Sequence, residues 1–91
     1  MAAMSLITVR YWAGARAAAG TSEDVLEVAG PITLADVMGR VLALHPGGRL
    51  GDVLAVCSTL VEDRPTASED AQEVVVQPGQ TVQFLPPFAG G

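Results

Sequence analysis

The sequence predicts an α+β fold, a mixed β-sheet of about four to five strands with one main helix packed on one face. Segments of alternating apolar residues lie on both sides of a single amphipathic stretch, an order typical of hairpins that flank one helix. A chain of 91 residues has room for one such core. We expect the folded domain at residues 1–85 and a flexible tail at residues 86–91.

The first third of the chain predicts a β-hairpin. Residues 5–12 alternate between apolar and more polar side chains and are rich in β-branched and aromatic types, which favours a strand. The small residues at 13–19 predict a loop or a helical turn, and residues 25–28 predict a second short strand. Because only a short connection separates the two strands, they are expected to pair as a hairpin.

The main helix is predicted at residues 34–44. Thr33 precedes it as the N-cap, and Asp36 follows at the spacing of a capping box, in which the two side chains satisfy free backbone N–H groups. Pro46 ends the helix because it cannot continue the backbone hydrogen bonds, and residues 49–53 could add one further turn. The apolar positions at helical spacing are Leu34, Val37, Met38, Val41, Leu42 and Leu44.

The second half of the chain predicts more strands. One is expected to begin at residues 54–57 and to continue weakly through residues 60–61. The polar residues 62–72 predict a surface loop, and short strands are predicted at residues 73–76 and 81–85. The predicted element order is therefore β-β-α-β-β-β.

Charge and composition exclude several classes of function. The chain has 10 acidic residues and 5 basic ones, all arginine, so its net charge of −5 leaves no basic surface for nucleic acid. No stretch reaches the roughly 18 apolar residues that a membrane span requires. A single cysteine and a single histidine cannot form an internal disulfide or a zinc cluster. We expect a cytoplasmic protein that binds no metal, membrane or nucleic acid.

The side chains that most often carry catalysis point to structural roles. Cys57 lies in an apolar segment with no neighbouring histidine, so we interpret it as a core residue rather than a nucleophile. His45 follows the main helix, where an imidazole caps the helix end or stays in solvent. No catalytic site of the chain's own is predicted.

The C-terminal tail is the part of the sequence that points to a chemical function. Pro86 and Pro87 fix φ and remove backbone donors, which favours an extended exit from the domain. Gly90 and Gly91 have no side chains, so they can thread a narrow enzyme channel. The terminal carboxylate is ionised at neutral pH and can attack the α-phosphate of ATP in a partner's active site.

Two motifs resemble those of a known family. Residues 84–91 fit an F-x-P-P-x-x-G-G ending, and Ala13, Arg16 and Gly20 fit an A-x-x-R-x-x-x-G segment. Together with the element order, these motifs resemble the MoaD/ThiS family of ubiquitin-like sulfur carriers, and within it the small subunits of molybdopterin synthase. The resemblance covers residues 7–91 and implies a ubiquitin-like β-grasp fold.

The resemblance also implies a function for the last residue. Gly91 would be adenylated by an E1-like adenylyltransferase that uses ATP, and a sulfurtransferase would then convert it to a thiocarboxylate. The large subunit of molybdopterin synthase would take up the tail and pass the sulfur to cyclic pyranopterin monophosphate, in molybdenum cofactor biosynthesis. The carrier itself would bind no cofactor, because its partners supply ATP binding and catalysis.

A partner-binding surface is expected on the sheet. Strand alternation turns Trp12 and Leu85 away from the face that Ile7 and Phe84 share, and exposed apolar patches on small proteins usually mark interfaces. The alternative is that Trp12 closes the edge of the core. Phe88 is expected to anchor the tail in the partner, whose rim should be basic because the carrier is acidic. With the resemblance, the partner-binding set is Trp12, Leu60, Leu85, Pro86, Pro87, Phe88 and Ala89.

Other functions stay open at the level of the sequence. A carrier with the same ending could serve cysteine or thiamin-thiazole biosynthesis. A ubiquitin-like modifier could be joined to other proteins, although a chain without lysine could not form chains with itself. A further interpretation is a plain interaction domain with an inert tail.

Overall fold

A mixed β-sheet and three helices make up the fold in the computed structural model, which describes residues 4–66 and 69–87 of the chain. Each strand and helix is named here by its position in the chain. In that order they are β1 (Ser5–Tyr11), α1 (Ala13–Ala19), β2 (Glu23–Val28), β3 (Ile32–Thr33), α2 (Leu34–Leu44), α3 (Leu50–Val56), β4 (Ser58–Val61), β5 (Arg64–Pro65), β6 (Val75–Val76) and β7 (Thr81–Leu85).

The strands form one large sheet and one small one. The large sheet has five strands in the order β2-β1-β7-β4-β5 within the described part of the chain. β1 and β7 run parallel, whereas the β1–β2, β4–β7 and β4–β5 pairs are antiparallel. β3 and β6 pair separately as a short antiparallel ribbon. The mixed sheet and the hairpin of the first two long strands, both predicted from the sequence, are confirmed.

One face of the large sheet is buried. Because side chains alternate between the two faces along each strand, every second residue points to the buried face. Ile7 and Val9 in β1 and Phe84 in β7 have 0% solvent exposure. Val37 and Val41 of α2 join the same buried cluster, so the main helix packs on one face as predicted. Each of these side chains contributes about 1.5–3 kcal/mol of hydrophobic stabilisation on burial.

The main helix matches its prediction at both ends. The hydroxyl oxygen of Thr33 accepts a hydrogen bond from the Asp36 N–H at 3.1 Å, and the Asp36 carboxylate accepts one from the Thr33 N–H at 3.3 Å. This capping box satisfies backbone donors that the first helical turn leaves free. The helix ends at Leu44, and the His45 N–H donates to the Val41 carbonyl at 3.2 Å.

The strand predicted to begin at residue 54 is wrong, because residues 50–56 form helix α3. Leu50 and Leu54 lie one helical turn apart and are both buried, while the residues between them are partly or fully exposed. A short apolar run fits a strand or a helix equally well by pattern, and its packing beside α1 decides for the helix. The strand that follows, β4, begins only at Ser58.

Shorter segments refine the prediction. The small residues 13–19 form a helix, and Gly20 ends it in the left-handed conformation with φ 75°, which glycine adopts without a Cβ clash. β5 at Arg64–Pro65 lies inside the predicted loop. The strand predicted at residues 73–76 shrinks to Val75–Val76, because hydrogen bonds of a turn hold its first two residues.

Candidate functional site

The second face of the large sheet is open to solvent and carries the predicted sheet residues of the partner-binding set. Trp12 is 40% exposed and lies outside the buried cluster, so its predicted orientation is confirmed and it does not close the core. Leu85 is half-buried in β7, and Leu60 of β4 stands opposite Gln83. We call this surface the open face, and its members are Leu6, Thr8, Arg10, Trp12, Val25, Leu60, Thr81, Gln83 and Leu85.

Two neighbouring side chains of the open face contact Trp12. Its indole Nε1–H donates a hydrogen bond to the Gln83 side-chain oxygen at 2.9 Å. The Arg10 guanidinium carbon lies 5.2 Å from the centroid of the indole ring, within the range of a cation–π contact. The sequence pattern predicted the face on which Trp12 lies but carried no signal for either contact.

Acidic side chains lie along β2, at one edge of the open face, and near the start of β7. Glu23 and Glu27 of β2 stand opposite Arg10 and Leu6 of β1 and are both exposed. The Glu62 carboxylate accepts a hydrogen bond from a backbone N–H at the start of β7, at 2.6 Å. The apolar side chains of the open face thus lie among polar residues and acids, and the basic rim expected on a partner stays a prediction.

The first two residues of the tail lie beside an apolar cavity. β7 ends at Leu85 as predicted, and Pro86 and Pro87 follow outside any strand. Both prolines line a cavity of about 350 Å³ together with Val53, Val56 and Cys57. The tail is therefore rooted between the helical layer and the end of the strand that carries Gln83 and Leu85.

The rest of the predicted tail site lies outside the described residues. This holds for Phe88, Ala89, Gly90 and Gly91. Their predicted roles, with Gly91 as the site of adenylate and thiocarboxylate attachment, stay predictions.

A polar cluster that the sequence did not predict lies away from the open face. The Tyr11 hydroxyl donates a hydrogen bond to the Asp24 carboxylate at 2.7 Å, and the His45 Nε2 lies 2.6 Å from the same Asp24 oxygen. Burial, reinforced by the Asp24 carboxylate, raises the pKa of Tyr11 far above its usual value. Because this hydroxyl is held in its neutral form, the cluster fits a structural role, and His45 is both a helix cap and part of this contact.

Cys57 occupies the link between α3 and β4 rather than a strand. Its side chain is half-buried and packs against the core, in keeping with its interpretation as a core residue. Burial raises the pKa of the Cys57 thiol, which disfavours the thiolate that a nucleophile would need.

Residues 4–66 and 69–87 contain neither a metal centre nor a membrane-spanning helix. No group of three or more His, Cys, Asp and Glu side chains in these ranges is placed to hold a metal ion. No helix among them is both long and apolar enough to cross a membrane.

Known proteins share both the sequence and the fold of this chain. The molybdopterin synthase sulfur carrier subunit of Chlamydomonas reinhardtii is 27% identical over 85 residues, which cover 93% of this chain and 98% of that protein. The small archaeal modifier protein 1 of Methanosarcina acetivorans has a similar structure, with a TM-score of 0.74, 21% identity, and coverage of 98% of this chain and 99% of that one.

A further solved structure with this fold is a complex of subunits 1 and 2 of molybdopterin-converting factor from Helicobacter pylori. Its matching chain has a TM-score of 0.60 and 19% identity, with coverage of 94% of this chain and 99% of that one. The ubiquitin-like β-grasp fold that the resemblance implied is confirmed by such structural neighbours. The match to the ThiS family spans residues 9–91, nearly the whole chain, and the chain therefore belongs to the ThiS family.

Proposed function

We propose that this chain is a sulfur carrier protein and the small subunit of a molybdopterin synthase. In this function Gly91 is adenylated, converted to a thiocarboxylate, and donates sulfur to cyclic pyranopterin monophosphate in molybdenum cofactor biosynthesis. The observation that carries the proposal is the F-x-P-P-x-x-G-G ending, which follows β7 at the edge of an open face with apolar side chains. The similarity to a sulfur carrier subunit over 93% of the chain supports it.

The chemistry needs only the terminal carboxylate of the carrier. The ionised carboxylate of Gly91 attacks the α-phosphate of ATP, pyrophosphate leaves, and an acyl-adenylate forms. The persulfide sulfur of a sulfurtransferase then displaces AMP from the acyl carbon, and a second thiol cleaves the resulting acyl–S–S bond and is itself oxidised to a disulfide. The product is a thiocarboxylate, a soft nucleophile that carries the sulfur to the next enzyme. Gly90 has no side chain and so allows the terminus to enter a narrow active site.

Catalysis belongs to the partners in this proposal. An E1-like adenylyltransferase and sulfurtransferase binds ATP and charges the tail in the cytoplasm, and the synthase large subunit unloads it. The raised pKa of Cys57 argues against this thiol as an alternative sulfur relay within the carrier. The carrier itself is proposed to bind no cofactor.

Docking is proposed to use the open face and the root of the tail together. Trp12 and Leu85 offer exposed and half-exposed apolar surface at the end of the sheet from which the tail leaves. Leu60 extends this surface on β4. Pro86 and Pro87 direct the tail, and Phe88 and Ala89 are proposed to contact the partner's tail channel.

Intact-mass spectrometry tests the proposal. The purified chain is incubated with the E1-like enzyme encoded in the same genome, ATP and a sulfur donor. Replacement of the terminal oxygen by sulfur adds about 16 Da, nominally the same as methionine oxidation, so the gain must be located in the C-terminal peptide. A chain that lacks Gly91 should show no gain and unfold as the complete chain does. Full sulfur transfer by the shortened chain would rule out the tail chemistry.

A ubiquitin-like modifier is the second candidate, favoured by the Gly-Gly ending. In that function, Gly91 would form isopeptide bonds to lysines of other proteins. The two candidates separate in cell extracts, where a modifier yields high-mass conjugates and a carrier does not. A carrier for cysteine or thiamin-thiazole biosynthesis would form the same thiocarboxylate but would not pass sulfur to cyclic pyranopterin monophosphate.

A further inference from the structure

Side chains from two neighbouring strands hold the indole of Trp12. The Nε1–H bonds to the Gln83 oxygen at 2.9 Å, and the Arg10 guanidinium lies over the ring at 5.2 Å. Arg10 and Gln83 stand directly opposite each other in the parallel β1–β7 pair. An exposed side chain without such contacts would exchange among staggered rotamers, whereas these two contacts favour one.

The backbone of Trp12 is fixed as well. Its N–H donates to the Phe84 carbonyl on β7 at 3.0 Å, and its carbonyl accepts from the Ala15 N–H at 3.0 Å as α1 begins. Trp12 is nevertheless 40% exposed. An aromatic side chain that is exposed but already ordered loses little conformational entropy when a partner covers it, which is the property of a pre-organised binding anchor.

The same contacts connect this anchor to the tail. Gln83 lies on β7, the strand that ends at Leu85 and continues into Pro86. A partner that binds Trp12 therefore lies close to the start of the tail, because the Trp12 N–H bonds to Phe84, two residues before Pro86. Loss of the Gln83 contact would leave the strand in place but free the indole.

We propose that Gln83 and Arg10 are positioning residues that hold Trp12 in the orientation in which the synthase large subunit binds it. The inference rests on the proposed function for the identity of the partner. It goes beyond that function because it assigns a role to two polar residues of the open face, neither of which carries sulfur or enters the partner's active site.

The fluorescence of Trp12 tests the positioning directly, because it is the only tryptophan of the chain. Gln83→Ala should lower the anisotropy of Trp12 and move its emission to longer wavelength. Gln83→Glu keeps an oxygen acceptor for the indole and should restore both values. Arg10→Met, which keeps an aliphatic stem but removes the cation, should lower the anisotropy to a smaller extent. Gln72→Ala is the matched control, since Gln72 is an exposed glutamine outside the open face.

The binding arm uses the large subunit encoded in the same genome. Loss of one hydrogen bond is expected to weaken its affinity by about threefold to tenfold in Gln83→Ala, with recovery in Gln83→Glu. Gln72→Ala should bind as the unchanged chain does. Thermal unfolding of each variant should stay close to that of the parent, which separates positioning from a structural effect.

Each outcome decides a different claim. Unchanged anisotropy in Gln83→Ala overturns the inference, and so does lowered anisotropy with unchanged affinity. Lower anisotropy and lower affinity that both recover in Gln83→Glu support it. If the unchanged chain does not bind the large subunit at all, the proposed function fails and the docking role fails with it, while the anisotropy series still decides whether Gln83 orders the indole.

Discussion

The Asp24 carboxylate and the His45 imidazole meet at 2.6 Å, and this contact joins β2 to the end of α2. The two side chains are 19% and 20% exposed, so solvent screens the pair only in part. The same Asp24 oxygen accepts a hydrogen bond from the Tyr11 hydroxyl, and the Tyr11 ring stacks on the Phe84 ring. The Asp24 carboxylate thus links the hairpin to the end of the main helix, and the Tyr11 ring extends this contact to β7.

Asp24→Ala is expected to destabilise the fold. The substitution leaves the hydroxyl of the buried Tyr11 without its acceptor, and an unsatisfied buried polar group costs about 1–3 kcal/mol. Urea unfolding monitored by circular dichroism measures the loss. Glu23→Ala is the control, because Glu23 is an exposed neighbour on the same strand and should change stability by less than about 0.5 kcal/mol. Equal stability of the two variants would contradict the structural role of the cluster.

Tyr11 makes the fold sensitive to alkaline pH. Its folded-state pKa is raised above the unfolded value by burial and by Asp24, so above pH about 10 the unfolded chain releases a proton that the folded chain retains. The unfolded state then binds fewer protons, and the free energy of unfolding falls as pH rises. Tyr11→Phe should remove this part of the pH dependence of the free energy of unfolding.

The absorbance of tyrosinate checks the same prediction without a variant, since Tyr11 is the only tyrosine. Tyrosinate should appear together with the loss of far-ultraviolet circular dichroism. Ionisation of Tyr11 near its ordinary pKa in a chain that stays folded would show that the hydroxyl is not held by Asp24.

The same glycine-to-alanine substitution should have opposite effects at two positions. Gly20 has φ 75° with open space around it, so Gly20→Ala costs about 1–2 kcal/mol from backbone strain alone. Gly39 is exposed within α2, and alanine there should stabilise the helix by about 0.5–1 kcal/mol. The thermal unfolding midpoints of both variants, compared with that of the parent chain, measure the two effects. Stabilisation by Gly20→Ala would mean that α1 does not end in a left-handed residue.

Local sequence patterns predicted β1 and α2, because the interactions that form these elements are between residues close in the sequence. The period of two along β1 set which face Trp12 takes, and the Thr33–Asp36 pair marked the start of α2. Both signals act between residues that are close in the sequence. The face of the sheet that bears the predicted partner-binding residues therefore follows from the alternation of side chains along single strands.

Contacts between distant residues could not be predicted in the same way. Gln83 and Trp12 are separated by 71 positions, and Asp24 and His45 by 21, so only the tertiary fold brings each pair together. Helix α3 was predicted only as one further turn at residues 49–53, and its second half was predicted as a strand, because the packing of Leu54 beside α1 cannot be read from a short apolar run. Tertiary packing, absent from any short window of sequence, supplied these parts of the site.

Cys57 should react slowly with thiol reagents in the folded chain. Burial raises the pKa of its thiol, so the thiolate fraction at pH about 8 is smaller than that of an ordinary cysteine. A disulfide-exchange reagent followed by absorbance should give a slower rate in the folded chain than in urea. Cys57→Ala should still be charged with sulfur at Gly91, and loss of charging in this variant would implicate the thiol in the transfer.

Leu85 provides the sharpest test of the open face as the docking surface. Its side chain is half-exposed beside the root of the tail, so Leu85→Ser removes apolar contact area from a bound partner while the tail stays unchanged. We expect the affinity for the synthase large subunit to fall by about fivefold or more. Val75→Ser is the matched control, because Val75 is 48% exposed on β6, which belongs to the separate short ribbon. Since the terminus of both variants is intact, each should still be adenylated by an enzyme that contacts only the tail. A loss of affinity in Val75→Ser but not in Leu85→Ser would place the docking surface outside the open face.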